Sequence, residues 1–188
     1  MGWAIVRYKG KKGEVAWGYV KDSSVFPLST SADSLRDLLA MDIPGLCSKA
    51  MEGAQGKPVA GLELLSPVTA PCQIICQGKN YLDHLIETGV QPKNKDYNLL
   101  FTKSDSSLAP AVGTIWRPEG VRLLDYELEL GLVIRREISA PVEVNDLNLH
   151  EYVAGLVMAN DSIDSGRAAG VLERLVAVSQ QSAEEFGH

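Results

Sequence analysis

The sequence predicts a mainly β protein of the α+β class, on three observations. Short runs rich in β-branched and aromatic residues recur along most of the chain, and two of them open it as a hairpin. Only a few segments show the 3.6-residue spacing of a helix. A proline-rich stretch near residue 66 separates a small first unit from the rest.

The hairpin comes first. Residues 3–8 and 14–20 are the two β-rich runs, and the glycines of Lys9-Gly10-Lys11-Lys12-Gly13 between them permit a tight reversal. A short strand around Val25-Phe26 follows. Between Ser31 and Met41, Leu35, Leu38 and Leu39 recur at i, i+3 and i+4 behind polar capping residues, which predicts an amphipathic helix. A second short helix is expected after Pro44. In Ser66-Pro67-Val68-Thr69-Ala70-Pro71 two prolines resist both helix and central strand, so the chain divides into a small N-terminal β/α domain over 1–68 and a larger domain over 72–188. The larger domain is expected to hold strands at 73–77, 99–103, 126–134 and 152–160, a short helix at 81–88 and a polar loop at 91–98. Near the end, Val171, Leu172, Leu175, Val176 and Ser179 follow a helical period, predicting a helix from about 167 to 180 within a helical tail that begins near 165.

Composition limits the function. The 188 residues are 45% hydrophobic and 22% charged, enough apolar material for a core. A net charge of -6 leaves no excess of Lys and Arg to neutralise phosphates, which argues against nucleic acid and against an acidic membrane surface. The Met1-Gly2-Trp3-Ala4 start lacks the features of a signal peptide, and no apolar run approaches the ~20 residues of a membrane span, so the expected compartment is the cytoplasm. Three cysteines, Cys47, Cys72 and Cys76, are an odd number without paired CxxC spacing, which argues against a disulfide framework, and read as buried thiols; a catalytic role for Cys76 lacks a histidine nearby in sequence.

Three segments carry candidate chemistry. In Leu124-Asp125-Tyr126-Glu127-Leu128-Glu129-Leu130, a strand sends Asp125, Glu127 and Glu129 to one face and the apolar residues to the other. Carboxylates two residues apart stand roughly 6–7 Å apart, close enough to reach one hard cation together. The alternative is a half-exposed strand with its acids in water. The second segment is the apolar run Tyr152 to Ala159, expected to stop as a strand at Asn160-Asp161, where Asp161 is either a ligand or a turn former. Together Glu127, Glu129 and Asp161 offer Mg²⁺ or Mn²⁺ an all-oxygen set. In the third segment, Gly78 to Gly89, His84 and Glu87 share a helical face at i, i+3, so the carboxylate can orient the imidazole to take a proton from water; the alternative is a surface histidine beside a surface acid.

These phrases resemble the fumarylacetoacetate hydrolase family, which includes acylpyruvases and related β-dicarbonyl enzymes. The resemblance covers roughly residues 1–161 and rests on Gly78-Lys79-Asn80-Tyr81-Leu82-Asp83-His84 with Glu87, Phe101-Thr102-Lys103-Ser104 with Ser106-Ser107-Leu108, Asp125 to Leu130, and Gly155 to Asp161. It implies that Glu127, Glu129 and Asp161 bind the metal, that His84 with Glu87 activates water, and that Lys103 lies in the pocket of a 2-oxo or β-diketo acid. It further implies a mixed β-roll, commonly a homodimer, and cleavage of a carbon–carbon bond; decarboxylation, isomerisation or lyase chemistry uses the same enolate stabilisation. After Asp161 the sequence departs from the family pattern of Ser, Arg-Asp, Gln and a later Lys: it reads Ser162-Ile163-Asp164-Ser165-Gly166-Arg167-Ala168 and has no lysine beyond Lys103. The expectation is therefore an incomplete β-roll and a poor catalyst, with a non-catalytic metal-binding scaffold as the rival reading.

Overall fold

The computed structural model of the chain describes residues 3–53, 55–78, 99–117, 119–121, 123–164 and 174–178. Strands β1 (Ala4–Lys9), β2 (Val15–Lys21), β3 (Ser24–Pro27), β4 (Lys57–Pro58) and β5 (Glu63–Leu65) form an antiparallel sheet in the order β4-β3-β2-β1-β5. The predicted hairpin is present. Lys9 pairs with Val15, the Gly10 N–H donates to the Glu14 carbonyl at 2.7 Å, and Gly13 takes a φ of +84°, a conformation that a side chain would oppose.

Alternation along these strands buries both faces of the sheet. Trp17 and Leu28 pack with Leu38, Cys47 and Ala50 from helices α1 (Leu35–Leu39) and α2 (Ile43–Gly53), and Ile5 and Tyr19 border that cluster. Val6, Tyr8 and Val25 form a second cluster with Val59, Leu62 and Leu64 against the other face. A Cβ at Gly18 would collide with the Val25 side chain, so glycine there lets β3 pack closely. The Trp17 indole N–H donates to the Ala32 carbonyl at 2.9 Å, giving its polar atom a partner inside the core. Helix α1 spans the three leucines that predict it and starts where Ser34 caps it. The Ser34 hydroxyl accepts from the Asp37 N–H, and the Asp37 carboxylate accepts from the Ser34 hydroxyl at 2.7 Å and from the Ser34 N–H; the hydroxyl first and the N–H second hold that carboxyl below its usual range. Helix α2 begins one residue before Pro44, whose missing N–H falls in the first turn, where it has no intrahelical acceptor.

Beyond residue 70, β6 (Ile74–Gly78) and β7 (Leu99–Lys103) make a two-stranded antiparallel pair. The expected helix at 81–88 and loop at 91–98 lie outside the described residues. A 3₁₀ turn at Asp105–Ser107, capped by Ser104, leads into β8 (Leu108–Ala109). Then come β9 (Leu124–Ile134), helix α3 (Leu149–Tyr152), β10 (Val153–Asp164) and β11 (Arg174–Val178). These build a sheet in the order β8-β11-β10-β9, antiparallel except where β11 runs parallel to β8. The chain is thus mainly β with few helices among the described residues, none long and apolar enough to cross a membrane.

Two expectations are corrected here. The segment read as a helix from about 167 to 180 contains β11, because Arg174–Val178 finds backbone partners in β10 on one side and β8 on the other. A run of Leu175-Val176-Ala177-Val178 fits either period, and the open edge of β10 decides between them. The strand expected to stop at Asp161 runs on to Asp164, so Asp161 is an interior strand residue and not a turn former. Strands β4, β5 and β8 and helix α3 are too short to show a period in sequence.

Burial raises the Cys47 thiol from its ordinary value of 9.0 to about 11. At pH 8, roughly one Cys47 in a thousand is then a thiolate, so the folded protein should resist iodoacetamide at Cys47 and lose that protection in denaturant. The folded state also keeps its proton where the unfolded chain releases it, so stability should fall as pH rises from 9.0 towards about 11. Denaturant midpoints across that window for the parent and Cys47→Ala check this: the variant should lack that part of the slope.

Candidate functional site

The pairing of β9 with β10 assembles the site. Asp161 stands opposite Glu127, and Ala159 opposite Glu129. Directly opposed residues of an antiparallel pair project from one face with Cβ atoms about 4.5–5.5 Å apart, and residues i and i+2 share that face about 6.5–7 Å apart. Glu127, Glu129 and Asp161 therefore rise together, with Val157 and Ala159 alongside. Val157 leans across Gly131, where a Cβ would come within 2.8 Å of a Val157 methyl.

This face is covered, although it is the acidic one. Asp161, Val157 and Ala159 are buried and Glu127 and Glu129 half-buried, whereas Tyr126, Leu128, Leu130, Leu132 and Ile134 on the opposite face of β9 are 51–76% exposed. The predicted alternation is present, but hydrophobicity does not choose its inward side.

Lys103 helps to explain the choice. It ends β7, its side chain is fully buried, and its ammonium donates to Oδ1 of Asp161 in an ion pair. The ammonium also lies 5.8 Å from the centre of the Phe101 ring. Taking either charge out of water costs several kcal/mol, which is offset only when the two meet with good geometry. The sequence marked Lys103 as a pocket residue but held no sign of this partner, 58 positions away.

The structure thus brings Lys103, Asp161, Glu127 and Glu129 to one region. His84 and Glu87 lie outside the described residues. His150 is exposed on α3. Among the described residues, no three His, Cys, Asp or Glu side chains are gathered as a metal ion would need. The donor set itself suits a hard divalent ion: three carboxylates on one sheet face, with neither sulfur nor nitrogen among them. A separate cleft of about 330 Å³ is lined by Arg7, Asp33, Ser66, Thr69, Asp105 and Ser106, and none of the four site residues borders it.

Comparison with known proteins places this arrangement in a family. The sequence profile of the fumarylacetoacetate (FAA) hydrolase C-terminal family matches residues 73–169, which is half of the chain and contains all four site residues. The chain belongs to the fumarylacetoacetate hydrolase family. The oxaloacetate tautomerase Fahd2a of Rattus norvegicus is 33% identical over 105 residues, covering 55% of this chain and 32% of that protein. A fumarylacetoacetate hydrolase from psychrophilic Exiguobacterium antarcticum superposes with a TM-score of 0.67 at 25% identity, over 88% of this chain and 57% of that one. A maleylpyruvate hydrolase from Sphingobium sp. SYK-6, solved with manganese(II) and pyruvate, has the same fold, with a TM-score of 0.65 at 21% identity over 87% of this chain and 60% of that one. The match to the rat protein spans about a third of that relative's length. Members of this hydrolase family are enzymes, tautomerases as well as hydrolases.

Removing one member of a buried ion pair is far costlier than removing both. Asp161→Ala should therefore lower unfolding free energy by about 3–5 kcal/mol, read from urea denaturation. A loss below about 1 kcal/mol would assign the pair to the surface class and refute its structural role.

Proposed function

We propose that this chain carries the acid site of a divalent-metal-dependent enzyme that acts on a 2-oxo acid able to enolise, with keto–enol tautomerisation of an oxaloacetate-like diacid as its reaction. The observation that carries this reading is the β9–β10 register, which presents Glu127, Glu129 and Asp161 on one covered face. Similarity to an oxaloacetate tautomerase supports the choice of substrate class.

Glu127, Glu129 and Asp161 would hold the ion, Mg²⁺ or Mn²⁺, which supplies the positive charge that binds the 2-oxo acid and favours its enolate. The chain's own residues do the rest. Val157 and Ala159 beside the acids limit water at the face, which strengthens every charge interaction there. Lys103 brings a cation to a face otherwise crowded with carboxylates, where an anionic substrate needs one. His84, which the family resemblance pairs with Glu87, would take the proton from the carbon next to the 2-oxo group, and the proton would be returned to the oxygen. The product is the enol, with no bond between heavy atoms broken.

Hydrolysis of a carbon–carbon bond in a β-diketo acid is the second reading, favoured by the structural similarity to the fumarylacetoacetate hydrolase of Exiguobacterium antarcticum. There His84 and Glu87 would take a proton from water, and the same enolate would leave.

Millimolar Mn²⁺ should raise the melting temperature, since a ligand of the folded state stabilises it by about 2.7 kcal/mol at 100 times its dissociation constant. Glu127→Gln should remove that shift. A melting curve unmoved by metal in the parent protein defeats the metal reading. With Mn²⁺ present, faster decay of the enol absorbance of oxaloacetate supports tautomerisation. Loss of an acylpyruvate chromophore with release of two acids supports hydrolysis.

A further inference from the structure

The cleft apart from the acid face, about 330 Å³, falls in the range of about 300–1,000 Å³ that holds small molecules. Its walls come from distant parts of the chain: Arg7 from β1, Asp33 just before α1, Ser66 and Thr69 after β5, and Asp105 from the 3₁₀ turn. One cation and two acids line the same space, yet no ion pair joins Arg7 to Asp33 or to Asp105. The half-buried Arg7 keeps its Nε sealed from solvent without a hydrogen-bond partner, and its guanidinium carbon stands 6.0 Å from the centre of the Trp17 ring. A covered donor left unsatisfied is costly, and a counter-charge on the guanidinium would offset that cost. Two hydroxyls of the cleft are only half used. The Thr69 hydroxyl accepts from the Leu35 N–H at 2.9 Å and keeps its hydrogen to donate, whereas the Ser66 hydroxyl donates to the Val68 carbonyl at 2.8 Å and keeps lone pairs to accept.

We infer that this cleft binds a small aliphatic α-amino acid as its zwitterion, the carboxylate taken by Arg7 and Thr69 and the ammonium by Asp105 and Ser66. Unpaired charges of both signs around one space are complemented by a molecule that carries both signs a few bonds apart. An anion alone would satisfy Arg7 but face two acids, a cation alone would face Arg7, and an uncharged molecule would leave all three without a counter-charge. Asp33 is exposed and Asp105 half-buried, so Asp105 is the acid less screened by water. Leu65, Val68 and Leu108 supply apolar wall for an aliphatic side chain. A ligand held this way bridges β1 and the turn that begins two residues beyond Lys103, and its binding does not rest on the metal reading.

The test is an NMR titration of the full, ¹⁵N-labelled chain without metal. The probes are L-leucine, 4-methylpentanoate, which lacks the ammonium, and 3-methylbutylamine, which lacks the carboxylate. L-leucine should shift the amides of Thr69 and Asp105 and bind at least about tenfold more tightly than either analogue, because each analogue leaves one set of charged partners unmet. Asp105→Asn should remove the advantage of L-leucine over 4-methylpentanoate, and Arg7→Met its advantage over the amine. Should Arg7→Met not fold, the three probes on the parent and Asp105→Asn still decide. Equal binding of L-leucine and 4-methylpentanoate by the parent overturns the inference. So does an advantage that survives Asp105→Asn, or the absence of shifts at Thr69 and Asp105 with millimolar L-leucine.

Discussion

A buried ammonium and a buried carboxylate are each unfavourable in a protein interior and tolerable together. The pair formed by Lys103 and Asp161 is therefore a constraint on everything around it. Lys103 ends β7 in a two-stranded sheet, whereas Asp161 lies within β10 of a four-stranded one, so the ion pair ties the two sheets at a defined point. It also bears on which face of β9 turns inward. Simple hydrophobic sorting would bury Leu128, Leu130 and Leu132; the structure leaves them exposed and covers Glu127 and Glu129 instead. Inward acids are the kind of local conflict with sorting that concentrates at functional sites.

The N-terminal sheet is organised on the opposite principle. Its two faces are covered by apolar clusters, one built on Trp17 and Leu38 and the other on Val6, Tyr8 and Val25. Two of its polar groups find partners within the same unit: the Trp17 indole N–H at Ala32, and the α1 N-terminus at Ser34. Stability there comes from burial, which is insensitive to ionic partners. In the acid sheet, part of the stability comes from charges placed against charges.

The chemistry of the site follows from the same placement. Opposed positions on β9 and β10 bring Asp161 beside Glu127 without any loop having to close, and strand-borne groups are held more rigidly than loop-borne ones. Fold and family are common to proteins with several reactions, so they do not by themselves choose one.

Much of this was legible in the sequence where the signal is local. The Gly10 to Gly13 reversal, the leucine spacing of α1 and the alternation of acids with apolar residues from Tyr126 to Leu130 are properties of neighbouring residues, set by backbone sterics and side-chain periods. So is the spacing that puts Glu127 and Glu129 on one face of β9. Other features were decided only by tertiary structure. Asp161 lies inside a strand and not at its end because β9 supplies partners as far as Leu124, opposite Asp164. Residues 174–178 form a strand because β10 and β8 leave room between them. Lys103 meets Asp161 because two sheets come together, a contact no window of sequence contains. A strand's free energy resides in its neighbours, and a buried charge is stable only where its counter-charge has been brought by the fold.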